Sequence, residues 1–248
     1  MQAKTIDEVI THLDEIIAWS RTHHSRLGYF AALYRRVTVQ VKQNIAAGNF
    51  ENNARMEQLD VIFANRYLAA FYAYRDGKPV TTSWQIAFDA APEWRPIVLQ
   101  HLLVGMNAHI NLDLGIAAAQ IAPGDLYEDL HHDFNQINTI LAGLVDDVKT
   151  ELSEIWRTLA LLSAVAGGAE DAIINFSMSI ARDEAWRFGK RLAPLDAAAR
   201  AAAIEEHDKE IAKLGELSVH PPLWSSFILL IIRLGERGNV RQIIDILA

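Results

Sequence analysis

The segment between Arg95 and Asp113 constrains the fold more than any other part of the chain, because no formally charged residue lies between these two ends. On a helix with about 100° per residue, its leucine, isoleucine, valine and methionine side chains cover every side. A helix that is apolar all round has to be buried. We therefore expect a central helix over residues 95–120, with the rest of the chain packed around it.

The remaining chain places apolar residues at helical spacing and hardly ever alternates them as a strand would. It predicts an all-α fold, a single-domain multi-helix bundle over residues 1–248. Thr5 is expected to cap the first helix, and Gly48 and Gly77 to end the second and third. Helices are expected at residues 5–23, 26–47, 51–76, 82–91, 95–120, 126–149, 150–166, 170–192, 196–214, 222–235 and 238–247.

Composition narrows the classes of function. The 31 acidic and 23 basic residues give a net charge of −8 with no basic cluster, which argues against a nucleic-acid partner. The lack of cysteine excludes disulfides and thiolate metal sites.

The first residues carry charges where a signal peptide would need an apolar block, so we expect a cytoplasmic protein. Residues 96–114 are broken by polar groups and residues 223–234 are too short, so no membrane span is expected.

Polar side chains on the central helix are the main functional signal. Each polar group that is buried without a partner costs roughly 1–3 kcal/mol, and a carboxylate costs more. His109 and Asp113 are four residues apart, so both rise from one face of the helix. That spacing suits a shared metal ion and equally suits a plain hydrogen bond between the two side chains. The polar residues of this segment are His101, Asn107, His109, Asn111 and Asp113.

Asp60 is the expected complement, because it lies near the apolar stripe of the third helix. We predict a divalent metal ion (zinc, iron or manganese) in the bundle core, and a water molecule activated by that ion would make the protein a metal-dependent hydrolase. The alternative for Asp60 is a salt bridge to Arg66 or Arg182, or a hydrogen bond from a tyrosine. The expected metal ligands are His109, Asp113 and Asp60, joined by His101 or Asp133.

The rival prediction is a non-catalytic helical module that binds a partner protein or an apolar ligand, whose identity is unknown. In this case the internal polar residues form a hydrogen-bond network that fixes the helix register, and no metal is bound. The C-terminal segment 223–248 is apolar enough to form a homodimer interface. The two predictions differ in whether purified protein contains metal.

Three stretches carry a resemblance to known proteins: YLAAFYAYRDGKPVTTSWQIAFDAA, VLQHLLVGMNAHINLDL and ARDEAW. Through these stretches the chain resembles an uncharacterised family of bacterial all-helical proteins. The resemblance implies that the fold is shared, and it brings no known activity with it. A looser similarity, carried by His109 and Asp113, is to helical zinc-dependent phospholipase C. That similarity implies a zinc site, but the second histidine–carboxylate element and the N-terminal tryptophan ligand of those enzymes have no counterpart here.

Overall fold

The computed structural model describes residues 2–138, 140–141 and 178–248, and of residues 179, 223–225 and 228 the backbone alone. This part of the chain contains no strand, which confirms the all-α prediction. Its helices are α1 (Ile6–His23), α2 (Leu27–Ala46), α3 (Asn53–Arg75), α4 (Thr82–Asp89), α5 (Val98–Met106), α6 (Gly115–Ile121), α7 (Met178–Leu192), α8 (Ala197–Val219), α9 (Leu223–Gly235) and α10 (Val240–Leu247). The helix predicted at 150–166, and parts of its neighbours at 126–149 and 170–192, lie outside the described residues.

Local signals set most helix ends. The Thr5 side chain accepts a hydrogen bond from the Glu8 N–H at 3.2 Å, as expected for an N-cap. Gly48 and Gly77 follow α2 and α3 with φ angles of 75° and 68°, the left-handed conformation that ends helices. The predicted end of α8 at residue 214 is wrong, because Gly215 serves close packing: a Cβ there would lie 3.3 Å from the Asn107 amide nitrogen.

The predicted central helix runs from residue 98 to residue 121 and is buried. A π-helical segment, Asn107–Leu114, joins α5 to α6 without a break. The side chains of α5 lie in one buried cluster with residues of α1 to α4 and α8 to α10. The side chains of α6 lie in a second cluster with residues of α2, α3, α7 and α8 and with Tyr127, Leu130 and Phe134. By length and composition alone, Val98–Ile121 is the one helix of the described chain that could cross a membrane, but 83% of its most apolar window is buried inside the protein.

Two carboxylates that are distant in the sequence accept hydrogen bonds from the first turns of α4 and α5. Asp208 of α8 accepts hydrogen bonds from the backbone N–H groups of Thr82 and Ser83 at 2.7 and 3.0 Å, and from the Ser83 hydroxyl at 2.6 Å. Glu236, just after α9, accepts from the Val98 N–H at 2.7 Å. Negative charge is stabilising at a helix N-terminus, where backbone N–H groups have no partner within the helix. These contacts fix where α4 and α5 begin.

Asp208→Ala should therefore lower the free energy of unfolding by about 3 kcal/mol, because three donors to a buried carboxylate lose their acceptor. The matched control is Asp196→Ala, which removes the exposed local cap of α8 and should cost about 1 kcal/mol. Urea denaturation of both variants gives the comparison. Equal losses would show that Asp208 does no more than an ordinary cap.

Candidate functional site

Asp113 lies at the centre of the buried polar network and is 1% exposed. Its Oδ1 atom accepts a hydrogen bond from Arg66 Nε at 2.6 Å. Its Oδ2 atom accepts from Trp84 Nε1 at 2.8 Å and lies 3.4 Å from His109 Nδ1. These four side chains, here called the Asp113 hub, come from α3, α4 and the π-helical segment. The hub therefore ties three elements to one carboxylate.

The charges in the hub can be assigned from its contacts. Burial alone would raise the pKa of Asp113, but the Arg66 guanidinium, His109 and Trp84 together hold that pKa below its ordinary value. Burial lowers the pKa of His109 despite the neighbouring carboxylate. Asp113 is therefore ionised and His109 neutral at pH 7. An ionised carboxylate only accepts hydrogen bonds, so His109 carries its proton on Nδ1 and Nε2 is an acceptor.

Aromatic rings enclose His109. Phe63 stacks on the imidazole with ring centroids 3.6 Å apart, and Tyr34 meets it edge-on at 4.5 Å. The Nε2 atom is buried and has no hydrogen-bond partner among the residues that the structure describes. His109 also lies on a π-helical turn, a local geometry that is frequent at functional sites. Nε2 of His109 is therefore a hydrogen-bond acceptor that is surrounded by aromatic side chains.

Asp60 lies on the same face of α3 as Phe63 but does not join the hub. Neither predicted arginine reaches it, because Arg66 pairs with Asp113, and Arg182 donates to Asn138 and to the Phe134 carbonyl. In the described part of the chain, Oδ2 of Asp60 has no hydrogen-bond partner. Burial, followed by the charge of Glu57, raises the pKa of Asp60 to about 7.

The two outer candidate ligands have separate surroundings. His101 lies on α5 with its ring edge-on to Tyr29, at a centroid distance of 5.8 Å. Asp133 is fully buried and accepts from the backbone N–H groups of Glu51 and Asn52 at 2.7 and 3.0 Å, so it holds the turn that precedes α3. Arg55 completes that contact with Asp133 at 3.2 Å. Asp133 thus acts on α3 as Asp208 acts on α4.

The five expected ligands do not form one centre. Within the described residues, no group of three or more His, Cys, Asp or Glu side chains is placed to hold a metal ion. His109 and Asp113 are hydrogen-bonded to each other. This hydrogen bond is the alternative to a shared metal ion that their spacing allows. The bound metal itself stays a prediction.

Sequence reasoning missed two residues that organise this region. Trp84 is not singled out by the sequence pattern, but it is buried in the core and its indole N–H is a donor to Asp113. Asp208 was not recognised, although it falls on the apolar stripe of α8 between Ile204 and Ile211. A carboxylate on an apolar stripe, the argument used for Asp60, would have identified it.

Removing the hub carboxylate should be costly. Asp113→Ala should lower the free energy of unfolding by about 3–5 kcal/mol, because it leaves the Arg66 charge and the Trp84 N–H without their buried acceptor. The control is Asp14→Ala, which breaks the exposed ion pair with Arg35 and should cost less than about 1 kcal/mol. Chemical denaturation of both variants tests this, and similar costs would contradict a special role for Asp113.

The buried Asp60 should make stability depend on pH. Its raised pKa means that the folded protein keeps a proton that the unfolded chain releases near pH 4, so stability falls as the pH rises towards 7. Asp60→Asn removes this loss. The variant should gain stability relative to the parent by up to about 1.4 kcal/mol per pH unit over that interval. Unfolding curves at pH 5 and pH 8 measure the difference, and a constant difference would refute the assignment.

Comparison with known proteins identifies the family of this chain but does not identify an activity. No curated protein and no solved structure matches the chain. A family model, described as a family of unknown function (DUF5995), matches residues 6–221. That match includes the central helix and every residue of the Asp113 hub. The chain belongs to the DUF5995 family.

Proposed function

We propose that this chain is a non-catalytic helical interaction module that pairs with a second copy of itself through α9. The observation that carries the proposal is an exposed apolar stripe on this helix. Phe227 and Leu234 are 66% and 71% exposed, and Leu230 and Ile231 lie exposed between them. Their spacing of i, i+3, i+4 and i+7 forms one continuous face, the pattern that pairs helices.

The chemistry of α9 favours a second copy as the occupant. The helix has one charged residue, Arg233, which donates to Glu236 at 2.7 Å and to the Trp94 carbonyl. Its opposite side is anchored by the buried Ile232. Two copies of this face, related by a two-fold axis, would therefore bury apolar side chains against each other and place no carboxylate in the interface.

The Asp113 hub supports a structural role for the internal polar groups. Both oxygens of Asp113 already accept hydrogen bonds from protein donors, so this carboxylate is engaged as a partner of Arg66 and Trp84. A metal ion that bound Asp113 would have to displace one of these donors. A hydrogen-bonded network of this kind fixes the relative positions of helices.

The self-association is tested by Leu234→Glu. The parent protein should be a dimer in size-exclusion chromatography with light scattering. The variant should be a monomer, because a glutamate in the apolar stripe would be buried without a partner. Leu126→Glu is the matched control, since Leu126 is also exposed, at 58%, but lies far from α9 in the sequence. The Leu126→Glu variant should remain dimeric. A parent that is monomeric at every concentration tested would overturn the proposal.

Metal content separates this proposal from the metal-dependent hydrolase. Untagged protein, purified without added metal, should contain well below one equivalent of zinc, iron or manganese by elemental analysis. Chelator should leave its thermal stability unchanged, because no metal would contribute to folding. A full equivalent that is lost in His109→Ala would instead restore the hydrolase prediction.

A further inference from the structure

Trp94 is an exposed aromatic residue that lies beside α9, although it is distant from this helix in the sequence. It is 53% exposed, and its carbonyl accepts a hydrogen bond from Arg233 Nε at 2.7 Å. The Arg233 guanidinium also lies 5.4 Å from the centroid of the Trp94 ring, which is within the range of a cation–π contact. Trp94 is therefore held next to the C-terminal half of α9.

The helical rotation shows on which flank of the apolar stripe Trp94 lies. With about 100° per residue, Leu230 lies between the centre of the stripe and Arg233 on the surface of α9. Ile232, which anchors the helix, lies on the side opposite the stripe. A ring that contacts Arg233 is therefore on the Leu230 side of the stripe and extends the stripe sideways.

The contacts that hold Trp94 in place leave it exposed. Arg233 pairs with Glu236 at 2.7 Å, and Glu236 accepts a hydrogen bond from the Val98 N–H at 2.7 Å. These contacts position the guanidinium that lies against the Trp94 ring. Tryptophan is enriched among the residues that dominate binding energy, because it buries a large area at a low cost in conformational entropy. Trp94 therefore has the properties of an interface anchor.

Phe227 is the exposed aromatic residue at the other end of the stripe. It is separated from Leu234 by seven residues, which is about 10 Å along the helix axis. Trp94 lies at the Leu234 end of this span, because it contacts Arg233. A two-fold axis that crosses α9 at the middle of the stripe brings one end of each helix against the opposite end of the other. It therefore places Trp94 of each copy beside Phe227 of the other copy.

We infer that two copies of the chain pair with their α9 helices antiparallel, and that Trp94 of each copy packs against Phe227 of the other. The inference rests on the self-association proposed above and adds its geometry and its anchor residue. Aromatic pairs stabilise an interface beyond the area that they bury, and opposed helix macrodipoles favour the antiparallel arrangement. A two-fold axis along the helices would instead bring Leu234 against Leu234.

Cysteine trapping tests the direction of the two helices, because the chain contains no cysteine. Full-length Phe227→Cys and Leu234→Cys are oxidised separately and as an equimolar mixture after subunit exchange, and covalent dimers are measured by non-reducing electrophoresis. A disulfide requires Cα atoms within about 7 Å of each other. The mixture should therefore form a covalent dimer, whereas each variant alone should form no more than the control Leu126→Cys, at another exposed leucine.

Two results of the trapping experiment would overturn the inference. Leu234→Cys that forms covalent dimers by itself would show a parallel pair. A mixture that forms no more covalent dimer than Leu126→Cys would show that the two ends of the stripe do not meet.

Trp94→Ala tests the anchor. The dissociation constant of the dimer, measured by analytical ultracentrifugation, should rise at least about tenfold, as for a residue that dominates an interface. Trp94→Phe should keep most of the affinity because it keeps an aromatic ring, and Leu126→Ala should leave the affinity unchanged. A dimer whose dissociation constant is the same in Trp94→Ala would refute the anchor and leave the self-association standing. A parent that is monomeric at every concentration would overturn both proposals.

Discussion

The ionised carboxylate of Asp113 is the constraint on which the arrangement of the central helices depends. An unpaired charge in a protein interior costs several kcal/mol, and only donors placed around it offset that cost. Arg66, Trp84 and His109 supply these donors from α3, α4 and the π-helical segment. The charge is compensated only when all three elements are in place. The hub therefore couples their positions and penalises alternative packings of the same helices.

Remote carboxylates set the starting points of the helices that bring these donors in. Asp133 holds the turn before α3, Asp208 holds the first turn of α4, and Glu236 holds the first turn of α5. A helix that is fixed at its first turn has its later side chains fixed as well, because the rise and rotation per residue are constant. The caps thus determine where Arg66 and Trp84 meet the carboxylate.

Local pattern made the fold class and the central helix predictable, because burial on all sides follows directly from the residues between 95 and 113. It also predicted that His109 and Asp113 would be sequestered and would face each other. The identity of the other partners was not predictable in the same way. Arg66 is 47 residues from Asp113, and their contact depends on the crossing of two helices, which periodicity does not encode. Asp133 illustrates the same limit: the sequence identifies it as a candidate metal ligand, but its backbone partners, Glu51 and Asn52, lie on another element and cannot be predicted from periodicity.

The hub is joined to the aromatic core of α2 to α5. Trp84 donates to Asp113 and also packs against Phe30 and Tyr67, and the Tyr67 ring lies 6.0 Å from the His109 ring centroid. The side chains that compensate the buried charge are therefore the same ones that fill the space between these helices, so a loss of the charge disturbs the packing as well. Ile232 of α9 belongs to this core, and the exposed stripe of α9 lies on the opposite side of that helix. The proposed pairing of two copies would therefore use a face that points away from the core, and it would leave the contacts of Asp113 unchanged.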